Sequence, residues 1–215
     1  MEKNYITGNN MILYISIIIV SMITICMANY FIAIRLFNFN LHYIIFSVIY
    51  LTIAVIIVDG MFAFCIRWLF PKKWFSVDKK FYVAKKTERK IYEKIGIKRW
   101  KDKVLELGGF TKFNKNKLGN PKDSAYVRRF IVESNYGVAI HISCMCFGYL
   151  IIFLHTLEYC LCFAIPVATV NMILNALPCF ILRYNLSKLH VLNRYNQKKE
   201  KSMEINSSNS QKNVA

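Results

Sequence analysis

Four apolar runs of 21 or 24 residues dominate the sequence and leave few folds open to it. Met11–Ile34, Tyr43–Ile66, Gly137–Leu157 and Tyr159–Leu182 each reach the about 20 residues that an α-helix needs to cross a bilayer. None carries the one-sided polar stripe of a soluble amphipathic helix. The expected fold is therefore an all-α membrane protein with four transmembrane helices. Residues 137–182 fit two spans better than one re-entrant hairpin. The first run is longer than the apolar core of a signal peptide, has only Lys3 ahead of it and lacks a clear cleavage box, so it reads as a retained signal anchor.

The chain has 29 Lys/Arg against 12 Asp/Glu, a net charge of +17, in a sequence that is 55% apolar. The apolar content excludes a disordered chain. The charge sits in two places. Residues 71–135 hold 19 basic and 7 acidic residues, net +12, and residues 183–215 hold 7 and 2, net +5. The rest sums to zero. If both termini and the central segment are cytoplasmic, 28 basic residues lie inside and Arg35 alone lies outside, as the positive-inside rule expects. The predicted organisation is two N-terminal spans within 1–70 (about 11–34 and 43–66), a basic cytoplasmic segment over 71–136, two spans over 137–182, and a basic, largely disordered cytoplasmic tail over 183–215. Nucleic-acid binding does not fit a basic segment interleaved with interface aromatics between two spans. A transporter is disfavoured too, with no internal repeat and one mid-depth carboxylate.

All seven cysteines lie in the apolar runs. The pairs Cys144/Cys146 and Cys160/Cys162 have one intervening residue, a spacing that turns two helical thiols to different faces. They read as small packing residues, and neither a metal site nor a cofactor is expected.

Phe70-Pro71 should end the second helix, with Trp68 and Trp74 at the membrane interface. Residues 85–109 read as two short amphipathic helices around Gly96. Ile91, Tyr92 and Ile95 form one apolar patch, and Trp100, Val104 and Leu107 the next. Such helices can lie in the headgroup layer or pack on their own domain. Gly108-Gly109 and residues 118–124 read as turns.

The few polar residues inside the apolar runs carry the functional signal. Asp59 lies eight residues before Arg67, about 12 Å of helix rise. An ionisable group at that depth is either functional or paired with Arg67 or an asparagine. His141 lies early in the third run. Asn171 and Asn175 share a face of the fourth at i, i+4. With Arg183-Tyr184-Asn185 at the boundary, these residues outline a polar pocket at the cytoplasmic side, or polar contacts between helices.

Three segments in this order, 91–109, 126–141 and 171–189, resemble the glycosyl-4,4'-diaponeurosporenoate acyltransferase family, small membrane proteins of low-GC Gram-positive bacteria. The elements that carry the resemblance are Trp100-Lys101-Asp102, Phe130 with Glu133, His141, Asn171/Asn175 and Arg183-Tyr184-Asn185. The resemblance implies a bacterial cell-membrane protein that transfers an acyl group to a sugar hydroxyl of a glycosylated carotenoid, the last step to a staphyloxanthin-type pigment. His141 would be the general base, with Asp59 or Glu133 orienting it. Asn171, Asn175 and Arg183 would bind the acceptor headgroup or stabilise the oxyanion, with Trp100, Lys101, Asp102, Tyr184 and Asn185 completing the substrate site. The implied partners are membrane lipid, an anionic acyl donor (acyl-CoA or acyl carrier protein) attracted by the basic segment, and an amphiphilic acceptor.

One position departs from the pattern. Related sequences tend to carry Glu three residues before the histidine, where this chain has Val138. Either a bend near Gly137 brings Glu133 close, or another carboxylate such as Asp59 or Asp102 serves, or the chemistry has changed or been lost. The rival expectation is a non-catalytic protein that binds anionic lipid or a partner enzyme through its basic segment.

Overall fold

The computed structural model describes residues 2–104 and 119–212. Among these the chain is helical and has no strands. Four segments are long and apolar enough to cross a membrane: Ile12–Phe37, Leu41–Trp68, Ser124–Leu154 and Leu157–Asn206.

Helix α1 (Glu2–Phe37) turns into α2 (Leu41–Trp68) through residues 38–40. Asn38 takes a left-handed backbone (φ 55°), which Asn tolerates better than most residues, and the Asn40 side chain caps α2 by accepting from the Tyr43 amide at 2.8 Å. After Pro71 a short 3-10 turn, Lys72–Phe75, folds back under the bundle. Phe75 stacks on Tyr136 at 3.9 Å between ring centroids, and the Asn135 amide donates to the Phe75 and Ser76 carbonyls at 3.0 and 3.2 Å. Helix α3 (Lys86–Lys94) ends at Gly96, whose φ of 73° closes the helix in the left-handed conformation that glycine adopts without strain. The one-turn α4 (Ile97–Trp100) follows.

Helix α5 (Ser124–Phe147) starts well before the expected boundary at Gly137, so the basic segment does not extend to residue 136 as a separate unit. Asp123 caps it by accepting from the Tyr126 amide at 3.1 Å. Val127, Phe130, Ile131, Ser134 and Val138 form a buried stripe at helical spacing, while Arg128 and Arg129 face outward. The helix passes Gly137 unbroken, so no bend carries Glu133 towards His141. Glycine serves there because a Cβ would come within 2.8 Å of Leu182 on the last helix.

A 3-10 continuation (Gly148–Leu154), the short α6 (Leu157–Tyr159) and one π-turn (Cys160–Ala164) lead into α7 (Ile165–Lys212), which packs most extensively on α5. Where a largely disordered tail is expected over 183–215, the last helix runs on to Lys212. Tyr184, Leu186, Leu189, Asn193 and Asn196 continue its buried face, and the Asn196 amide donates to the Pro121 carbonyl at 2.9 Å. No Gly or Pro interrupts that stretch, and the helical spacing of its apolar residues outweighs its polar composition.

Packing divides the molecule into two ends. One apolar core joins α1, α2 and the start of the last helix around Ile44, Leu51 and Phe163. The other lies at the basic end, around Phe75, Ile131, Val138 and Leu186. Between them lies a stretch where polar side chains replace apolar ones.

Candidate active site

Asp59 of α2, His141 of α5, and Asn171 and Asn175 of α7 meet there. The Asn175 amide nitrogen donates to one Asp59 carboxylate oxygen at 2.9 Å, and the Asn171 amide nitrogen donates to the other at 3.2 Å. The Asn175 amide also donates to the Asn171 side-chain oxygen at 3.0 Å. Asn175 Oδ1 lies 2.9 Å from His141 Nδ1.

The direction of these bonds follows from chemistry. An ionised carboxylate only accepts, so Asn175 must turn its NH2 to Asp59 and its carbonyl oxygen to His141. An amide oxygen only accepts, so His141 Nδ1 carries a proton, and in the neutral imidazole the lone pair sits on Nε2. Asp59 thus fixes the histidine tautomer through an intervening amide. Gly148 makes room for this arrangement: a Cβ there would lie 2.7 Å from the Asn171 amide nitrogen.

The cluster opens on a cavity of about 410 Å³ between α1, α2, α5 and α7, with Tyr14, Asp59, Gly60, His141, Cys144 and Asn175 among its lining residues. A polar group at one part of an otherwise apolar cavity of this size is the usual form of a small-ligand site. An imidazole with its lone pair on Nε2 beside such a cavity can accept a proton from a hydroxyl. Among the described residues no three His, Cys, Asp or Glu side chains converge as a metal site.

Other sequence candidates lie elsewhere. Glu133 turns to Arg67 of α2, its carboxylate 3.3 Å from the guanidinium, while eight residues of continuous helix separate it from His141. Val138 is fully buried in the apolar core, and Asn175 of α7 supplies a polar partner to His141.

Arg183 lies eight residues beyond Asn175, about 12 Å along α7. It forms a clamp that sequence reasoning missed. Its guanidinium donates to Glu88 of α3 at 2.6 and 2.8 Å and to the Phe81 carbonyl at 2.8 Å. Glu88 also accepts from the Tyr92 hydroxyl and, at 3.3 Å, from the Lys85 amide. The Arg183 guanidinium is the main reason the Glu88 carboxyl is held down at about 2. Burial and the adjoining Glu88 push the Tyr92 phenol up. Glu88 at the third helical position, accepting from the Lys85 backbone amide, is the one local signal for Glu88 as a structural acid.

Tyr184 is buried and donates to Glu93 at 3.0 Å, while Asn185 beside it is half-buried. The Trp100 indole donates to the Ile95 carbonyl at 3.2 Å, and Lys101 lies 3.6 Å from Asp102. The Ile91/Tyr92/Ile95 patch is split. Tyr92 packs against Phe180 of α7, whereas Ile91 and Ile95 are exposed. The short helices therefore dock on the bundle through Tyr92 and Ile97 and keep two isoleucines outside. Leu107 and the Gly108-Gly109 turn lie outside the described residues.

The fold and site define a small all-α membrane protein with a histidine held by an amide-bridged carboxylate over an apolar cavity. The chain belongs to the glycosyl-4,4'-diaponeurosporenoate acyltransferase family, whose model matches residues 71–199 and so links it to acyl transfer in carotenoid pigment synthesis. No curated protein and no solved structure matches the chain. The matched residues include His141, Asn171 and Asn175, whereas Asp59 comes from α2, outside them.

Proposed function

We propose that the protein transfers a fatty acyl group from a thioester donor, acyl-CoA or acyl carrier protein, to a sugar hydroxyl of a glycosylated carotenoid or related glycolipid. The observation that carries this reading is the His141–Asn175–Asp59 chain at the cavity wall. His141 Nε2 takes the proton of the acceptor hydroxyl as its oxygen attacks the thioester carbonyl. The imidazolium that forms keeps its Nδ1 proton on Asn175, and the Asp59 charge behind the amide stabilises it. Collapse of the tetrahedral intermediate expels the thiolate, which takes the proton back from His141. Asn171 and Asn175 serve as the frame for Asp59 in this scheme, since their amides already donate to it. The basic end of the bundle faces the cytoplasm, where soluble anionic donors are found, and the bundle sits in the bacterial cell membrane.

The test uses the full chain in membranes with a labelled acyl thioester and a glycosylated carotenoid, the product being read by mass spectrometry. His141→Ala lowers the rate by about 10² to 10⁴ at equal protein level. Neutralising Lys98, Arg99 and Lys101 together weakens donor capture and leaves saturated turnover intact. Unchanged product from His141→Ala contradicts the scheme. Loss of function only on neutralising the basic residues favours a protein that binds anionic lipid or a partner enzyme.

A further inference from the structure

We infer that the apolar length of the cavity is a slot for one saturated acyl chain, its carbonyl end at His141 and its methyl end on a floor of Ile25, Thr52 and Val167. The inference rests on the acyl-transfer reading and adds which hydrocarbon enters the protein and what limits its length.

Three observations carry it. First, the cavity is polar at one end only. Beyond Asp59 its hydroxyl-bearing wall residues turn inward to their own helices. Ser21 donates to the Ile17 carbonyl at 2.8 Å and Thr52 to the Val48 carbonyl at 2.7 Å. What they offer the cavity is carbon.

Second, the slot is short. Thr52 lies seven residues from Asp59 on α2, and Val167 eight residues from Asn175 on α7, so the floor is about 10–12 Å from the polar cluster. A saturated chain rotates about each carbon–carbon bond and can fold into about 410 Å³. A conjugated polyene is a rigid rod and cannot shorten itself to fit. The donor chain therefore takes the slot, and the acceptor's polyene stays in the bilayer with only its sugar reaching His141.

Third, Gly60 holds the passage open beside the polar cluster. It lines the cavity one residue from Asp59, and a Cβ built there meets nothing within 4 Å. Gly60 is an exposed wall residue, so a side chain added there displaces no neighbour, and replacing a helical glycine favours the helix itself.

The experiment has a binding arm and a turnover arm, both on the full chain in detergent. In the binding arm a spin-labelled fatty acid is immobilised by the wild type and displaced by an acyl thioester. Gly60→Leu reduces that immobilisation by about ten-fold or more. In the turnover arm a graded series of straight-chain acyl thioesters is compared. Thr52→Leu shifts the preference to shorter chains, and Val167→Ala to longer ones, by about ten-fold in the ratio of rates. Unaltered binding in Gly60→Leu together with an unaltered chain-length ratio in both floor variants overturns the slot. A label displaced by phospholipid as readily as by the thioester also overturns it, since the cavity then holds bilayer lipid. If no donor is turned over yet the binding arm behaves as expected, the slot stands and the acyl-transfer reading falls.

Discussion

The two polar clusters of this protein are built from the same helix yet differ in kind. At the basic end, Arg183 of α7 meets Glu88 in a two-pronged ion pair, with Tyr92, the Phe81 carbonyl and the Lys85 amide taking up remaining bonds. Opposite charges cancel, and the arrangement ties α3 to α7. Two turns deeper, Asp59 is answered by two neutral amides, and one of these passes its influence to a histidine at a cavity. The first cluster has the features of a structural clamp. The second keeps a carboxylate uncancelled by a guanidinium and places a titratable ring next to open space, at a stability cost that a purely structural contact would not need.

From that contrast, the largest effects on activity belong to the deeper cluster. Asn175→Leu removes the bridge while leaving both ends in place. Acyl transfer falls by about 10², and stability drops by about 1–3 kcal/mol as Asp59 loses a buried donor. Kinetics and thermal unfolding of the detergent-solubilised protein separate the two effects. A variant that loses stability and keeps its turnover would make the bridge a structural feature.

The clamp should show itself in stability and its pH dependence. Glu88 is held at about 2 against an ordinary 4.5. A carboxyl lowered by folding contributes fully above its unfolded value. That contribution shrinks as the pH falls below about 4.5 and is gone near about 2, and it is worth at most about 3 kcal/mol. Unfolding followed between neutral pH and about pH 3 should show a steeper acid loss in the wild type than in Glu88→Gln. Parallel curves would mean that Arg183 does not hold Glu88 as described.

The smallest effects belong to the Arg67–Glu133 pair, whose side chains are 37% and 26% exposed. Arg67→Met and Glu133→Gln should each change stability by less than about 1 kcal/mol and leave turnover within a few-fold of wild type. A loss of about 10² in Glu133→Gln would return that carboxylate to the chemistry.

Much of this architecture was legible in the sequence. Run length and charge asymmetry are local properties, so the four membrane-crossing helices could be read directly. Depth could also be read: Asp59 and Asn175 each lie eight residues from a basic end, which put them at one level before any contact was known. Pairings could not be read. Asp59 and Asn175 are 116 residues apart, and Glu88 and Arg183 are 95 apart. Only the packing of α2, α3 and α5 against α7 decides which carboxylate is linked to His141 through Asn175 and which meets Arg183. The early start of α5 was hidden by Arg128 and Arg129, which suit a loop by composition but occupy the outer face of an amphipathic turn. The helix over 183–212 was hidden in the same way by its lysines and asparagines.

The central claim is that His141 and Asp59 act as one unit through Asn175. A double-mutant cycle of His141→Ala and Asp59→Asn, read as acyl transfer at equal protein level, tests it most directly. Residues that act as a unit are strongly non-additive. The account predicts that each single change lowers the rate by about 10² or more, and that the double change is no worse than the poorer single one. Losses that simply multiply, or an Asp59→Asn protein with wild-type turnover, would contradict it.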